Sequence, residues 1–432
     1  MNVVQFTMYN MKFGESILIT RKDQIDVLSD FGSKWDEKDM RTTYDKVIRD
    51  LSSINEMKVY ISHFHLDHYS GLIYTYNNHI HLNIEELILP DINHLSVIRA
   101  LVTTSFFKAI LSKVVLPATK PRTIPLLEFI NFLCTNINRT KFLHRGDKID
   151  DHTILWPDKD LICKYCVDFY KDIIKGVETL FEEYKEELLN NNISDTLKIF
   201  FEEIENYSTL IHQAFQNERN LNDNDFQSII PIIDNLGDII TSNRRLREEF
   251  LRLFLGNEVQ DIINTLYTEG LSDDEIVDKI ISKAIRLNSC EHEICLVFHN
   301  TDDNSDNYLF TGDIEKKNLE KIIKDFDGKI PLHEYYKYYK VPHHGTNSRK
   351  YYTHLIKDKL KPNSYLIISN GKRMKHTTRL KRQWNIDEKY YDIELSSFRH
   401  FCSNTDNCKG YSKRSCACKK SIFINRGYKN SI

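Results

Sequence analysis

The chain has little of what builds linkers, disulfide frameworks or membrane spans. It contains 14 Gly and 9 Pro among 432 residues, so low-complexity linkers are not a feature. Its 9 cysteines are an odd number in a long chain, and a disulfide framework is not expected. No run of about 18 uninterrupted apolar residues occurs, so no membrane span is expected. The start of the chain lacks the basic and apolar segments of a secretory signal, which predicts a cytoplasmic location.

The chain does have size and an uneven distribution of charge. Its hydrophobic content of 41% is sufficient for a packed core, and its length suggests two or three domains. The net charge of −3 hides a contrast between two regions. Residues 340–432 carry 21 Lys and Arg against 6 Asp and Glu, whereas residues 158–289 carry 27 acids against 14 bases. A basic C-terminal quarter predicts a face that meets an anion.

The spacing of apolar residues changes along the chain. Short alternating stretches such as VVQFTMYN and SILITRK predict strands, and strand and helix patterns alternate up to residue 157. Within that region, HLSVIRALVTTSFFKAILSKVV predicts one long helix or two. Residues 158–289 repeat apolar residues every three or four positions, which is typical of helices. Because strand patterns resume at EICLVFHN, the sequence predicts an α/β fold with a large helical insertion.

One short segment concentrates metal-binding side chains. ISHFHLDHYSGL (residues 61–72) holds His63, His65, Asp67 and His68 within six positions, after the predicted strand KVYI. Side chains two residues apart on an extended backbone point to the same side, so His63 and His65 can bind one metal. Asp67 and His68 then face a second position. Imidazole with carboxylate suits zinc, and less strictly manganese or iron; two such ions about 3.5–4 Å apart form a hydrolytic site. A histidine-rich surface turn is the alternative.

These segments resemble a known family. HFHLDH matches the H-x-H-x-D-H motif of the metallo-β-lactamase superfamily. KFGESILITRKDQIDVLSDFG, NYLFTGDIE, YKVPHHGTNS and LIISNGKRMKHTT resemble, in order, segments of the soluble catalytic domain of ComEC-type competence proteins. The resemblance covers residues 1–90, 140–157 and 290–378. It implies an αβ/βα four-layer sandwich, in which two sheets pack face to face with helices outside and metals lie at the sheet edge.

The resemblance also implies how the chain is divided. Residues 1–157 and 290–385 would be the two parts of the metallo-β-lactamase fold, and 158–289 would be a helical insertion between them. Residues 386–432 would be a basic, cysteine-rich extension. ComEC-type proteins carry membrane spans, which are not expected in this chain.

The resemblance assigns roles to particular residues, with two divalent metal ions as cofactors, zinc favoured and manganese the alternative. His63 and His65 would hold the first ion, Asp67 and His68 the second, and Asp313 would bridge both. The third ligand of the first ion is expected to be His292, with His299 and His144 as alternatives.

Three further residues complete the expected site. One histidine of PHHG would complete the second ion, with His344 favoured, and the other, His343, would face the substrate. Asp30 is expected to accept a hydrogen bond from a ligand imidazole rather than to bind metal. An ordinary turn residue is the alternative for Asp30.

A basic segment follows the last predicted strand and bears on the substrate. The family pattern there ends Gly-His-Pro, whereas this chain has MKHTT, without the glycine and the proline. His376 would still be a catalytic residue with Asp67 and His343. Its flanking basic residues suit a phosphate, with a solvated loop as the alternative. These expected nucleic-acid-binding residues are Lys372, Arg373, Lys375 and Arg379.

Together these features predict a two-metal phosphodiesterase that cleaves DNA or RNA through a metal-bridged hydroxide. Interleaved aromatic residues in the basic region would suit stacked bases. One alternative is a hydrolase of a small phosphoester, a cyclic nucleotide or a β-lactam-like ring. Another is a docking protein whose acidic insertion binds a protein partner and whose hydrolase site is latent.

The cysteines allow a second, structural role for zinc. Cys402, Cys408, Cys416 and Cys418 lie within seventeen residues, and four thiolates can bind one structural zinc. Buried reduced thiols are the alternative. Cys163 and Cys166 lie in a helical pattern and are interpreted as packing residues.

Overall fold

The structure is a computed structural model of the 432-residue chain. It describes residues 4–12, 14–34, 37–116, 125–187, 193–216, 228–256, 283–301, 306–345, 354–369, 399–402 and 429–431, with isolated residues between 259 and 281. The chain divides into two compact units. The first comprises Met1–Asp91, Asn138–Lys159 and His292–Ile432, and the second comprises Ile92–Ile137 and Asp160–Glu291.

The first unit contains two mixed sheets, with strands numbered in chain order. The first sheet has the order β14-β1-β2-β3-β4-β5-β6 among the described strands. The pairs from β14 to β3 are antiparallel, and those from β3 to β6 are parallel. Its strands are β1 (Val4–Tyr9), β2 (Gly14–Arg21), β3 (Asp26–Ser33), β4 (Met57–Tyr60), β5 (Ile84–Pro90), β6 (Thr140–Leu143) and β14 (Lys429–Ser431).

The second sheet repeats this pattern of pairing. Its order is β13-β12-β11-β10-β9-β8-β7. The pairs from β7 to β10 are antiparallel, and those from β10 to β13 are parallel. Its strands are β7 (Lys148–Ile149), β8 (His152–Trp156), β9 (Val297–Asn300), β10 (Tyr308–Phe310), β11 (Tyr336–Lys340), β12 (Leu360–Ile368) and β13 (Arg399–Cys402).

The two sheets share one apolar core. Phe6 of β1 lies 5.9 Å from Phe310 of β10 and 4.7 Å from Tyr338 of β11, measured between ring centroids. Side chains two apart on a strand point to the same face, so alternate apolar residues such as Ile17 and Ile19 enter this core together. The predicted α/β class is therefore confirmed at the level of two mixed sheets that share a core, an arrangement compatible with an α/β sandwich.

Three described helices of several turns belong to the first unit. They are α1 (Glu37–Leu51), α2 (Leu66–Asn77) and α10 (Lys316–Ile323). The first turn of α1 carries Glu37 and Asp39 and its last turn carries Arg49, which complements the helix dipole. Helix α2 packs closely on β3, and it carries part of the histidine-rich segment.

The described residues of the second unit form helices and the turns between them, with no strand among them. Its helices are α3 (Leu95–Val115), α4 (Pro125–Thr135), α5 (Lys159–Glu183), α6 (Ile193–Phe215), α7 (Ile229–Ser242), α8 (Arg244–Leu255) and α9 (Ile285–Glu293); α5 and α9 run over the unit boundaries. Phe107 of α3 packs against Phe200 and Phe254, with ring centroids 5.4 and 5.3 Å apart. The Asn243 side chain caps α8 by accepting a hydrogen bond from the Leu246 amide at 3.0 Å.

The extent of the helical unit differs from the prediction. The sequence placed the insertion at 158–289, but Ile92–Ile137 also groups with these helices. The stretch expected to form one helix or two forms a single helix, α3, of which 16 of 21 residues are buried. A helix that is apolar on nearly all sides needs neighbours on several sides, and α6 and α7 provide them.

Helix α3 also bears on the expectation that the chain has no membrane span. By length and composition alone, it is apolar enough to cross a membrane. Within the protein, however, 72% of its most apolar window is buried. A single helix of this kind is weak evidence for a span, because the core helices of many proteins share these properties.

Candidate metal centre

The predicted ligands meet at the carboxyl ends of neighbouring strands in the first unit. His63 follows β4, Asp313 follows β10, and His343 and His344 follow β11. The parallel strands of both sheets bring these ends to one side, the usual location of ligand sites in α/β sheets.

Close contact between α2 and β3 positions Asp67 and His68. Helix α2 begins at Leu66, so Asp67 and His68 lie in its first turn. A Cβ atom at Gly32 would lie 2.6 Å from the Asp67 carbonyl carbon and 2.7 Å from the His68 nitrogen. Only glycine at position 32 therefore allows this turn to approach the sheet.

Asp313 is held by a tight turn after β10. Gly312 has a φ of +49°, and a Cβ there would lie 2.5 Å from Cys295 Sγ and 2.7 Å from Ser62 Cβ. The Asp313 amide donates to Cys295 Sγ at 3.2 Å. These constraints fix the backbone from which the Asp313 carboxylate enters the cluster.

One oxygen of Asp313 lies among four imidazoles. Its Oδ2 is 4.0 Å from His63 Nε2, 3.7 Å from His68 Nε2 and 3.9 Å from His344 Nε2. It is also 3.5 Å from His343 Nδ1. This is the place expected of a residue that bridges two cations.

A first ligand group consists of His63, His65 and His292, whose ligand atoms lie within 4.8 Å of one another. His63 Nε2 is 3.0 Å from His65 Nδ1. His292 lies in the last turn of α9 rather than at a strand, and its ring centroid is 4.6 Å from that of His65.

The structure places the two alternative third ligands elsewhere. His299 Nδ1 is 2.8 Å from the Tyr336 hydroxyl, and its ring stacks on His333. His144 Nδ1 is 3.0 Å from Asp147. Of the three histidines considered from the sequence, His292 is the one that lies beside His63 and His65.

A second group surrounds Asp67 and His344. The Asp67 Oδ2 atom is 3.1 Å from His344 Nε2, and Asp67 Oδ1 is 3.9 Å from His68 Nε2. Ligand atoms of Glu15, His68, Asp313 and His344 also lie within 4.8 Å of one another. Metal–nitrogen bonds of about 2.0–2.1 Å in a tetrahedron put ligand atoms roughly 3.3 Å apart, so the spacing suits a cation such as zinc.

A third overlapping group shares two residues with the others. It consists of His292, Asp313 and His343. Because it reuses His292 and Asp313, it is an alternative grouping of the same cluster rather than a separate place.

Two buried atoms support the fit of a cation. Within the described part of the chain, Asp67 Oδ1 and His68 Nε2 are buried and have no hydrogen-bond partner. A buried polar atom without a partner costs about 1–3 kcal/mol. A divalent cation bound between these atoms would satisfy both, so the residues present fit such an ion.

Asp30 fixes the neighbouring imidazoles. Its Oδ1 accepts from the Ser62 amide at 2.7 Å, and its Oδ2 lies 2.8 Å from Ser62 Oγ and 2.9 Å from His68 Nδ1. Since the Ser62 hydroxyl donates to Asp30, its oxygen is left to accept from His63 Nδ1 at 3.1 Å. Protons on both Nδ1 atoms leave the Nε2 atoms directed into the cluster.

The charges in the cluster suit metal ligands. Burial, with the neighbouring His68 and His65, holds the pKa of His63 well below its usual range, so this imidazole is neutral. Burial opposes ionisation of Asp67, but Lys34 and His68 outweigh it and hold its pKa well below the usual value. Burial likewise lowers the pKa of His68, but Asp30 and Asp67 outweigh it and raise that pKa, so binding a cation there would displace a proton.

The two histidines after β11 have unusual backbone conformations. His343 and His344 have φ values of 51° and 53°, in the left-handed region that few residues other than glycine adopt. Such residues cost on the order of 1–3 kcal/mol each and occur mainly at functional sites. The His343 amide donates to Asp313 Oδ1 at 2.8 Å, which holds this turn against the Asp313 carboxylate.

Several predicted residues lie outside the described part of the chain. They are His376, Lys372, Arg373, Lys375, Arg379, Cys408, Cys416 and Cys418. Cys402 ends β13. Cys166 is buried in α5 and Cys163 is partly buried there, and both are in the reduced form.

Sequence reasoning missed several residues around the ligands. They are Glu15, Ser62, Glu315, Lys340 and Ser369. His292 Nδ1, for example, lies 3.2 Å from Glu315 Oε1. The available signals were the Gly-Glu pair at the start of β2 and the lysine that precedes VPHHG, both visible in the motifs but without an assigned role.

Comparison with known proteins identifies no family for this chain. No protein-family model matches the chain, and no curated protein or solved structure matches it significantly.

Proposed function

We propose that the cluster binds two divalent metal ions and that the protein is a metal-dependent hydrolase of the metallo-β-lactamase superfamily. The observation that carries this proposal is the position of Asp313 Oδ2 within 4.0 Å of His63 Nε2 and 3.7 Å of His68 Nε2. One carboxylate oxygen thus lies between the two ligand groups. The αβ/βα four-layer sandwich is part of the same proposal, supported by two sheets with matching orders of antiparallel and parallel pairs.

Each ligand has a stated part in this proposal. His63, His65 and His292 would hold the first ion, and Asp67, His68 and His344 the second, with Asp313 shared. Zinc is favoured because imidazole and carboxylate are its common ligands, and manganese is the alternative. Two such ions would supply an activated water near neutral pH and Lewis-acid stabilisation of developing charge.

The chain's own residues would bind and orient the substrate. His343 is partly exposed, unlike the buried His63 and His68, which suits a residue that contacts substrate. Lys34 is 44% exposed and lies 3.4 Å from Asp67 Oδ2, so it adds positive charge beside the cluster. A cation-loaded site with this lysine favours an anionic substrate.

The charge of the C-terminal region supports nucleic acid as that substrate. Residues 340–432 have 21 basic against 6 acidic side chains, and Lys372, Arg373, Lys375 and Arg379 flank His376. A run of basic residues with aromatic residues suits a phosphate backbone and its bases. We therefore propose phosphodiester cleavage in DNA or RNA.

The purified protein tests this proposal directly. Its metal content would be measured first, and then cleavage of labelled DNA and RNA with zinc or manganese added. The same preparation would be offered a cyclic nucleotide, a small phosphodiester and a β-lactam. Asp313→Asn should lose activity, whereas His144→Gln, a partly exposed histidine outside the cluster, should retain it.

Each outcome has a clear meaning. Cleavage of nucleic acid that stops with a chelator and with Asp313→Asn supports the proposal. Hydrolysis of only a small substrate would replace the nucleic-acid part with the alternative hydrolase. A third outcome is a protein that binds two metals but hydrolyses no substrate until a protein partner is added. That outcome would favour the docking protein with a latent hydrolase site.

A further inference from the structure

A buried ion pair lies behind the cluster. Lys340 Nζ is 2.7 Å from Glu15 Oε2, and the two side chains are 0% and 1% exposed. Removing two charges from water costs several kcal/mol per ion, and a buried pair is often no more stabilising than apolar residues of similar size. Its location therefore calls for an explanation other than stability.

Lys340 also contacts the turn that carries the shared carboxylate. Its Nζ lies 3.2 Å from the Gly312 carbonyl oxygen and 3.7 Å from Asp313 Oδ1. The ammonium group thus attracts Oδ1, and Oδ2 is left facing the imidazoles. Lys340 is the last residue of β11, the strand that leads to His343 and His344, so it ties the end of β11 to the turn after β10.

Glu15 reaches a ligand histidine through a serine. The Ser369 hydroxyl donates to Glu15 Oε2 at 2.8 Å, and Ser369 Oγ lies 3.1 Å from His344 Nδ1. A hydroxyl has one proton, so once that proton goes to Glu15 the oxygen must accept from His344. His344 therefore carries a proton on Nδ1, and its Nε2 atom faces Asp67 Oδ2 at 3.1 Å.

The donors that Glu15 already accepts distinguish it from the proposed metal ligands. Although Glu15 lies within ligand distance of the second group, its Oε2 already receives Lys340 and Ser369. It approaches Nδ1 of His344, at 3.7 Å, rather than the Nε2 atom that faces the cluster. Glu15 is thus placed to orient a ligand from behind.

We propose that Glu15 and Lys340 are positioning residues for the second cation. Each acts through a different contact. Glu15 acts through Ser369 to fix the tautomer of His344, and Lys340 fixes the orientation of Asp313. This inference rests on the proposed two-metal centre. The proposal gives a role to the Gly-Glu pair at the start of β2 and to Lys340, the lysine before VPHHG.

Ser369→Ala tests the contact from Glu15 through Ser369 to His344, because it removes the hydroxyl and leaves the ion pair in place. Outer partners of metal ligands typically contribute 10–100-fold to metal affinity. We expect Ser369→Ala to weaken one of two Co²⁺ binding sites by about that factor in a calorimetric titration, and to leave the other unchanged.

Arg145→Met provides a matched control. It breaks another ion pair of the same unit, in which Nη2 of the buried Arg145 lies 2.6 Å from Oδ1 of the partly exposed Asp327. This variant should lower thermal stability but bind both Co²⁺ ions as the unchanged protein does. Unchanged affinities in Ser369→Ala, or equal weakening of both sites, would overturn the proposal.

A second measurement uses the unchanged, metal-free protein, so its result does not depend on metal binding or on whether a variant folds. Nitrogen NMR of ¹⁵N-histidine-labelled, metal-free protein reports which ring nitrogen of His344 is protonated. A proton on Nδ1 is expected, with or without a second proton on Nε2, and an Nδ1 atom that carries no proton would overturn the inference. If the unchanged protein binds fewer than two cations, the two-metal function fails, whereas the NMR result still decides whether the relay exists.

Discussion

Asp67 Oδ2 and His344 Nε2 lie 3.1 Å apart, although 277 positions separate these residues in the chain. Asp67 follows a strand of the first sheet, and His344 follows a strand of the second. The cluster therefore forms where the ends of the two sheets meet, and neither sheet alone holds a complete set of ligands.

Asp67→Ala should abolish cleavage while leaving nucleic-acid binding largely intact. The variant removes a proposed ligand of the second cation, so the loss of rate should exceed the roughly 100-fold that removal of an outer partner can cost. The measurements are metal content, cleavage rate and binding of labelled DNA or RNA. His144→Gln is the control. Full cleavage by Asp67→Ala with one metal lost would contradict a two-metal mechanism.

Asp30→Asn should weaken metal binding without straining the backbone. Asp30 has a φ of 57°, which asparagine tolerates, so the effect should come from the lost carboxylate that orients Ser62 and His68. We expect metal affinity to fall by about 10–100-fold. Titration with Co²⁺ measures the affinity, and denaturant unfolding checks that the fold survives. Metal affinity equal to that of the unchanged protein would refute this role.

Gly312→Ala and Gly328→Ala should separate steric crowding from backbone strain. Both glycines have positive φ, at +49° and +65°, but only Gly312 has atoms within 4 Å of the added methyl group. A left-handed alanine costs about 1–2 kcal/mol, and overpacking adds about 1–3 kcal/mol. Urea unfolding should therefore show a larger loss of stability for Gly312→Ala. Equal losses would mean that the turn before Asp313 relaxes freely.

His299 should make the metal-free protein less stable in acid. Burial and the nearby His333 lower the pKa of His299 to about 3. The unfolded chain, with a histidine pKa of about 6.5, therefore binds the extra proton, and stability falls as pH drops from about 6.5 towards 3. At pH 5 this corresponds to about 2 kcal/mol relative to pH 8.

A comparison of variants isolates this contribution. His299→Gln keeps a polar group for Tyr336 but cannot titrate. Urea unfolding of both proteins at pH 8 and pH 5, in chelator, should show a smaller pH effect in the variant. An identical difference between the two pH values would mean that His299 is protonated in the folded protein.

Replacing Lys372, Arg373 and Lys375 together with glutamine should weaken nucleic-acid binding and its dependence on salt. The slope of log affinity against log salt should fall by about one unit per lost phosphate contact. Metal content should not change. The matched control replaces Lys164, Lys171 and Lys175, three exposed lysines of α5, with glutamine. If both triple variants bind alike, the small-substrate alternative gains support.

The sequence predicted those features that depend on local spacing. Alternation in β1 and β2 and three- and four-residue periodicity in α5 and α6 are visible without knowledge of tertiary contacts. The allocation of α3 to the helical unit could not be read in this way, because it depends on packing against α6 and α7, which lie much later in the chain.

The candidate site shows the same division between local and distant signals. Close spacing in the sequence identifies four of the candidate ligands, namely His63, His65, Asp67 and His68. Glu15 could not be found in this way, because its contact with Ser369 spans 354 positions. Its role depends on a chain of donors and acceptors that exists only after both sheets have formed.

The distance along the chain between Asp67 and His344 has a consequence for biosynthesis. At about 5–20 residues per second, a ribosome needs roughly 15–55 s to make the 277 residues between them. During that interval HFHLDH has left the ribosome without the histidines that complete the cluster. If the cluster binds metal as proposed, binding can be complete only after His344 has been synthesised, and truncated chains that end within the helical unit should retain metal poorly.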